Sequence, residues 1–266
     1  MPTLVLASRD HSSDRGLAAA AEAAGWRVHD LAAVAEGLEP PVVVYVTTET
    51  ALDAAGRLGL ALLEPPLDLL ARLPGVYLQR TVQFATFADL GRLTRRTFVK
   101  PADPLAKVFD AGLYASPADI RERRPIDPAT PVLLSEPVEW VAEYRCFLLD
   151  GRVVAFSPYI LLGRANWKPW GQGGEKAQLP AAVGDLLRRM AADKAVSLPP
   201  AVVVDVGLID ERGGAVVEFN PVFCAGLLGA DPAAVLPVLA RACRPRAEVG
   251  TDGRWVVDRT SRGEGP

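Results

Sequence analysis

The sequence predicts a mixed α/β (α+β) protein in which a small parallel βαβ layer precedes a larger region of long strands and hairpins. Two observations predict it. Residues 1–78 alternate short apolar runs with stretches of helical periodicity, the pattern of a parallel sheet covered by helices. Beyond them the apolar runs lengthen, alternate with period two and are joined by tight turns, which is the pattern of antiparallel pairing.

Taken in order, "TLVLAS" reads as a first strand and "SDRGLAAAAEAAG" as a helix, with Ser13 as N-cap and Gly25 as stop. "WRVHDL" and "PVVVYVT" are two further strands, "TETALDAAGRLG" a helix ending at Gly59, "LALLE" a fourth strand and "PPLDLLARLPG" a short helix opened by prolines. The turn "ASRDHSSDRG" lacks GxGxxG, which argues against a dinucleotide site there. From residue 76 "VYLQRTVQ" reads as a strand leading to a helix, "TFADLGRLT", and a strand, "RTFVKP". Residues 101–130 are irregular, and the charge run "RERR" at 121–124 reads as solvated surface. "PVLLSEPVEW" follows, then "AEYRCFLLDGRVVAFSPY", a hairpin across Asp150-Gly151, a dipeptide suited to a two-residue turn. Residues 162–180 are rich in Gly, Trp, Lys and Arg without periodicity. "AAVGDLLRRMAADKA" is an amphipathic helix, "VVVDVGLIDERGGAVVEFNP" a second hairpin and "DPAAVLPVLARAC" a closing helix. The tail "TSRGEGP" reads as disordered. Residues 1–78, 79–248 and 249–266 are the expected divisions, the last a C-terminal hairpin or disordered tail.

Composition narrows the function classes. Half of the 266 residues are hydrophobic and 23% are charged, as in an ordinary globular chain with a sizeable core. A net charge of -3 gives no reason to expect nucleic acid or an anionic membrane as partner. Cys146, Cys224 and Cys243 stand too far apart for a structural zinc site and fit a reduced, cytoplasmic setting. The opening "MPTLVLASRD" reads as a strand and not a signal peptide, and no apolar stretch reaches the ~18 residues of a membrane span. His11 and His29 both fall in the N-terminal layer, which argues against a Ser-His-Asp triad or a His-rich metal site. "GQGGEK" does not satisfy GxxxxGK[ST], so it is not a P-loop.

Three constellations carry chemistry. In the second hairpin Glu218 and Asn220 share a strand face, and an even-numbered loop puts Asp205 opposite them. That placement suits either a solvated outer face or a set of hard oxygen ligands for Mg²⁺, which keeps several waters and bridges substrate phosphates. "TFVKP" sets Lys100 at the end of an apolar strand, on the face of Phe98, as a point charge for a phosphate or as an edge-strand lysine. Lys107 follows within reach of the same anion. In "LLSEPVEWVAEYR" an apolar strand runs into a proline-interrupted segment whose backbone at Glu136, Pro137, Val138 and Glu139 offers donors and acceptors to an adenine edge. Glu143 and Arg145 then share a strand face, as solvated charges or as a carboxylate for sugar hydroxyls beside a cation for phosphate.

In that order ("FVKP", an acidic linker, "EYR…DG", Asp205, "EFNP") the elements resemble the ATP-grasp fold, and most closely its clade named for two arginines and one lysine. The resemblance covers roughly residues 76–245, with the preceding layer resembling the small domain that precedes the grasp. It implies ATP and Mg²⁺ as cofactors. It implies Lys100 as phosphate ligand, Glu136 and the backbone after it as adenine hinge, and Glu143 as ribose acceptor. Asp205, Glu218 and Asn220 would hold Mg²⁺, Arg145 and Lys107 would touch the transferring phosphoryl group, and Arg80 is a further phosphate contact. The glycine-rich phosphate lid of other ATP-grasp enzymes is replaced by "ADPLAKVF", and Val203 stands where a basic residue often precedes the first metal ligand. Arg164, Lys168 or Lys176 is then the expected clamp on the outer phosphate. The implied activity is a carboxylate–amine ligase acting on an amino acid, peptide or protein through an acyl phosphate. A phosphotransferase and a non-catalytic ATP-binding assembly factor are the alternatives.

Overall fold

A computed structural model describes residues 1–7, 12–34, 38–46, 50–106 and 108–256. The N-terminal layer holds β1 (Thr3–Leu6), α1 (Ser12–Ala23), β2 (Arg27–Asp30), β3 (Val42–Tyr45), α2 (Thr50–Arg57), β4 (Leu60–Leu62) and the short helices α3 (Leu69–Arg72) and α4 (Gly75–Leu78). Strands β2, β1 and β3 form the expected parallel sheet, whereas β4, expected as its fourth strand, pairs antiparallel with residues 243–245. Gly25 and Gly59 adopt positive φ just past α1 and α2, the left-handed stop that glycine takes without steric cost. Ser13 lies inside the first turn of α1 and is not its cap; its Oγ accepts from the Leu227 amide.

The larger region adds β5 (Val82–Thr86), β6 (Thr97–Pro101), β7 (Gly112–Tyr114), β8 (Pro131–Ser135), β9 (Trp140–Leu149), β10 (Arg152–Leu161), β11 (Arg164–Ala165), α5 (Ala181–Ala192), β12 (Ala201–Ile209), β13 (Gly213–Asn220), α6 (Pro232–Ala242) and β14 (Cys243–Pro245). They make a four-stranded sheet, β5-β8-β6-β7, and a five-stranded sheet, β11-β10-β9-β12-β13. "VYL" before Gln79 is a turn of helix and not a strand, and "TFADLGR" is a 3₁₀ segment closed by reciprocal bonds between Thr86 and Asp89. β7 arises inside the stretch read as irregular. Asp150 and Gly151 both take positive φ, as the tight hairpin turn requires.

One face of the five-stranded sheet (Val202, Val204, Val206, Cys146, Leu148) packs on Val183, Leu186, Leu187 and Met190 of α5. At one end of the opposite face Ala201, Val203 and Phe147 join α6 and the N-terminal layer in one continuous core. At its other end that face leaves cover and carries the polar row described below. Residues 249–256, expected as hairpin or tail, instead form a 3₁₀ segment that buries Trp255, whose carbonyl accepts from the Glu64 amide. Most of the tail, residues 257–266, lies outside the described residues.

Candidate active site

The cleft lies between the two sheets. Period-two alternation sends Phe98 and Lys100 of β6 to the face that looks across at β9 and β13. Opposite them, direct cross-strand register aligns Arg145 of β9, Asp205 of β12 and Glu218 of β13 in one row. This row depends on an irregularity. The β12–β13 loop spans Asp210 to Arg212, an odd number of residues, which by itself would face Asp205 with Val217. A bulge at Val217 restores the parity and brings Glu218 opposite Asp205. Arg80 holds that bulge: its guanidinium donates to the Val216 carbonyl at 2.8 Å and to the Val217 carbonyl at 3.2 Å.

The row is a dense ionic network. Arg145 grips Asp205 with two bonds, Nε to Oδ1 at 2.9 Å and Nη2 to Oδ2 at 2.7 Å, and donates from Nη1 to the Gly226 carbonyl at 3.2 Å. Lys100 reaches across the cleft to pair with Glu218 Oε2. Asn220 Nδ2 donates to Glu218 Oε1 at 2.8 Å and lies 3.4 Å from Asp205 Oδ2. Asp205 is wholly buried, whereas the Lys100 and Glu218 side chains are 23% and 24% exposed, so this pair alone is open to exchange with a ligand. Burial pushes the Asp205 carboxyl up to about 6, against the pull of Arg145. Burial also works on Glu218, but Lys100, Asn220 and Arg145 outweigh it and hold that carboxyl down at about 2. Burial opposes the Arg145 charge as well, and Asp205 and Glu218 reverse the balance and raise its pKa.

Two cavities meet at this row. The first, about 610 Å³, is lined mainly by apolar groups, among them Phe98, Leu113, Leu133, Val138, Trp140 and Val217, with Arg80, Glu136 and Glu143 at its polar points. The second, about 500 Å³, is polar and includes Asp103, Asp110, Arg123, Arg145, Asn220 and Cys224. Lys100 and Glu218 wall both. Glu143 accepts from Tyr159 Oη at 2.6 Å, and burial raises its pKa. Arg80 also lies over the Trp140 ring, 5.0 Å from its centroid, and burial lowers its pKa to about 10.

Of the sequence-predicted residues, Lys100, Glu136, Pro137, Val138, Glu143, Arg80 and Glu218 line the first cavity, and Arg145 and Asn220 the second. Asp205, the wholly buried member of the row, lines neither. Glu139 is exposed and lines neither cavity. The Glu136 side chain pairs with Arg212 at 2.9 Å, which with the Thr81 amide lowers its pKa. Lys107 lies outside the described residues. The expected clamps Arg164, Lys168 and Lys176 line neither cavity: their loop packs on 226–231, where Gly229 leaves room for the Lys168 carbonyl that any side chain would fill. Three contributors escape a reading of the sequence. Arg96 shares the face of Phe98 and Lys100, a period-two signal that could have found it. Arg123, exposed as its charge run predicts, also pairs with Asp110 at the edge of the second cavity. Tyr159 shares the face of Ser157, which pairs with Arg145 across the hairpin, so the same period-two signal could have found it.

The donor set fits a hard cation. Among the described residues no three His, Cys, Asp or Glu side chains are grouped to hold a metal. The set here is two carboxylates and an amide, and Glu218 and Asn220 line the cleft.

Comparison with known families agrees with this geometry. Residues 77–238 match a family model for the ATP-grasp domain, the second family of the clade named for two arginines and one lysine. The chain belongs to this family. No curated protein matches it in sequence. Among solved structures, the ATP-grasp chain resembles D-cycloserine synthetase DcsG (TM-score 0.56, 16% identity, 90% of this chain and 99% of that one). It also resembles a RimK domain protein ATP-grasp from Sphaerobacter thermophilus DSM 20745 (TM-score 0.52, 15% identity, 90% and 98%). A third is N5-carboxyaminoimidazole synthetase from Staphylococcus aureus (TM-score 0.52, 10% identity, 92% and 78%). At these identities the likeness is one of fold.

Proposed function

We propose that this ATP-grasp protein is an ATP- and Mg²⁺-dependent ligase that joins a carboxylate to an amine, on an amino acid, peptide or protein, and releases ADP and phosphate. The observation that carries the reading is that an apolar cavity and a polar one share the Lys100–Glu218 wall. Adenine fits the apolar end, against Phe98, Leu133 and Trp140 and beside the backbone of Glu136 to Val138, with Glu143 for the ribose. The outer phosphates then lie at Lys100, and the acceptor carboxylate approaches from the polar side.

Mg²⁺, when bound, screens phosphate charge and orients the transferred group. Glu218 and Asn220 would hold it, with Asp205 completing the set from beneath while anchoring Arg145. Arg145 and Lys100 meet the charge that develops on the transferring phosphoryl group. The acceptor carboxylate oxygen bonds to the γ-phosphorus as the bond to ADP breaks, giving an acyl phosphate. The amine then attacks the acyl carbon and phosphate leaves. No side chain forms a covalent bond with substrate in this scheme.

In this reading the terminal phosphoryl group faces the acceptor, so the nucleotide product should be ADP. Incubation with ATP, Mg²⁺ and pools of amino acids and short peptides, followed by chromatography of the nucleotides, tests this. ADP that requires both a carboxylate and an amine supports the ligase. AMP as main product sinks the mechanism, a stable phosphorylated acceptor indicates a phosphotransferase, and turnover without acceptor-dependent product indicates an assembly factor.

A further inference from the structure

On the cleft face of the five-stranded sheet one aromatic side chain has no part in the scheme above. Tyr159 stands at the register shift between Pro158 and Ile160, which pair with Tyr144 and Glu143. Ser157, two residues before it, pairs with Arg145, so alternation puts Tyr159 on the site face, where its Oη donates to Glu143 Oε2 at 2.6 Å. The Arg145 guanidinium lies over its ring, 5.6 Å from the centroid. Burial, with Asp205 and Glu143 adding to it, raises the phenol pKa, so the group remains a donor across the working pH range. Glu143 feels two cations, Arg80 and Arg145, and a carboxylate free to turn would swing toward either. The phenol prevents this by fixing one oxygen.

We propose that Tyr159 is a positioning residue for the sugar end of the nucleotide site: it holds Glu143 Oε2 and leaves Oε1 aimed for a ribose hydroxyl. The proposal rests on the nucleotide reading of the apolar cavity. Its physical content is preorganisation. A carboxylate already held in one rotamer loses no further freedom when the ribose arrives, so the hydrogen bond it makes is fully felt in affinity. The same ring, packed under Arg145, ties the sugar end to the phosphate end through one side chain.

Calorimetric titration with ATP and with 2′,3′-dideoxy-ATP, on wild-type protein and on Tyr159→Phe, separates the possibilities. Wild-type protein should bind ATP about tenfold or more tightly than the dideoxy nucleotide, the scale of a hydrogen bond to a carboxylate. Tyr159→Phe should shrink that ratio to about two- to threefold while leaving dideoxy affinity within about twofold of wild type. A ratio unchanged in the variant overturns the role of Tyr159 and leaves the ribose reading of Glu143 standing. Equal weakening of both nucleotides also overturns it and assigns the ring to support of Arg145. A wild-type ratio near one removes the ribose reading, and the proposal with it. Thermal denaturation confirms that the variant is folded. Tyr159→His, which keeps a ring N–H, is the second variant and should recover part of the ratio.

Discussion

Lys100 and Glu218 belong to opposite walls of the cleft and neutralise each other across it. Their partial exposure makes the pair exchangeable, unlike the Arg145–Asp205 pair, whose carboxylate is wholly buried. Lys100→Met keeps most of the apolar stem and removes the charge. Calorimetry should show nucleotide affinity lower by about 1–3 kcal/mol, the scale of a charged hydrogen bond. Unchanged affinity would leave Lys100 only its ion pair with Glu218. Glu218→Gln should act differently, because it removes the negative charge beside the phosphates as well as the metal ligand. Metal-free ATP should then bind at least as tightly as to wild type, while Mg²⁺-dependent turnover is lost. Turnover near the wild-type rate would remove Glu218 from the metal site. Both side chains were legible in the sequence, since "FVKP" and "EFNP" are local patterns. Their pairing was not, because it crosses between two sheets.

At the scale of elements, irregularities make the site. The bulge at Val217 corrects the parity of an odd loop, and Arg80 pins it through two carbonyls. Arg80 in turn lies over Trp140, and Trp140 lies flat across β12 because residue 207 is glycine: a Cβ there would overlap the indole ring. Gly207, in a strand interior, is thus a close-approach glycine. Gly207→Ala should push Trp140 and Arg80 away from the cleft, destabilise the fold by about 1–3 kcal/mol as other overpacked sites do, and weaken nucleotide binding together with it. Denaturant unfolding and nucleotide titration of one preparation test this. A loss of stability with unchanged affinity would show that the stack does not shape the cavity. The hairpin strands themselves were readable from period-two alternation, and the Asp150-Gly151 turn from its dipeptide. The bulges were not, because an inserted residue leaves the local hydrophobic pattern almost unchanged while inverting every face beyond it.

For the whole molecule, the N-terminal layer and the ATP-grasp region share a core. Leu4, Leu6, Val43 and Tyr45 pack with Val203, Val222, Phe223 and the α6 residues Val235 and Leu239, and β14 pairs with β4. Residues 1–78 alone would expose the apolar face that α6 covers. Expressed as a fragment they should give the circular dichroism of an unfolded chain, whereas the full chain should unfold in one transition. A folded fragment with its own cooperative transition would show two independent domains. Composition and periodicity by themselves determined the α/β class, the parallel layer, the two hairpins and the strands that bear Lys100, Arg145, Asp205, Glu218 and Asn220. These follow from short-range rules, since the side-chain period of a strand and the torsions of a turn are properties of neighbouring residues. Only the tertiary structure decided that Asp205 serves Arg145 from beneath the cleft, that Arg80 holds backbone carbonyls and that Glu139 faces away. Each of these depends on register between strands far apart in the chain, and register is set by the packing of whole sheets, which no local pattern encodes.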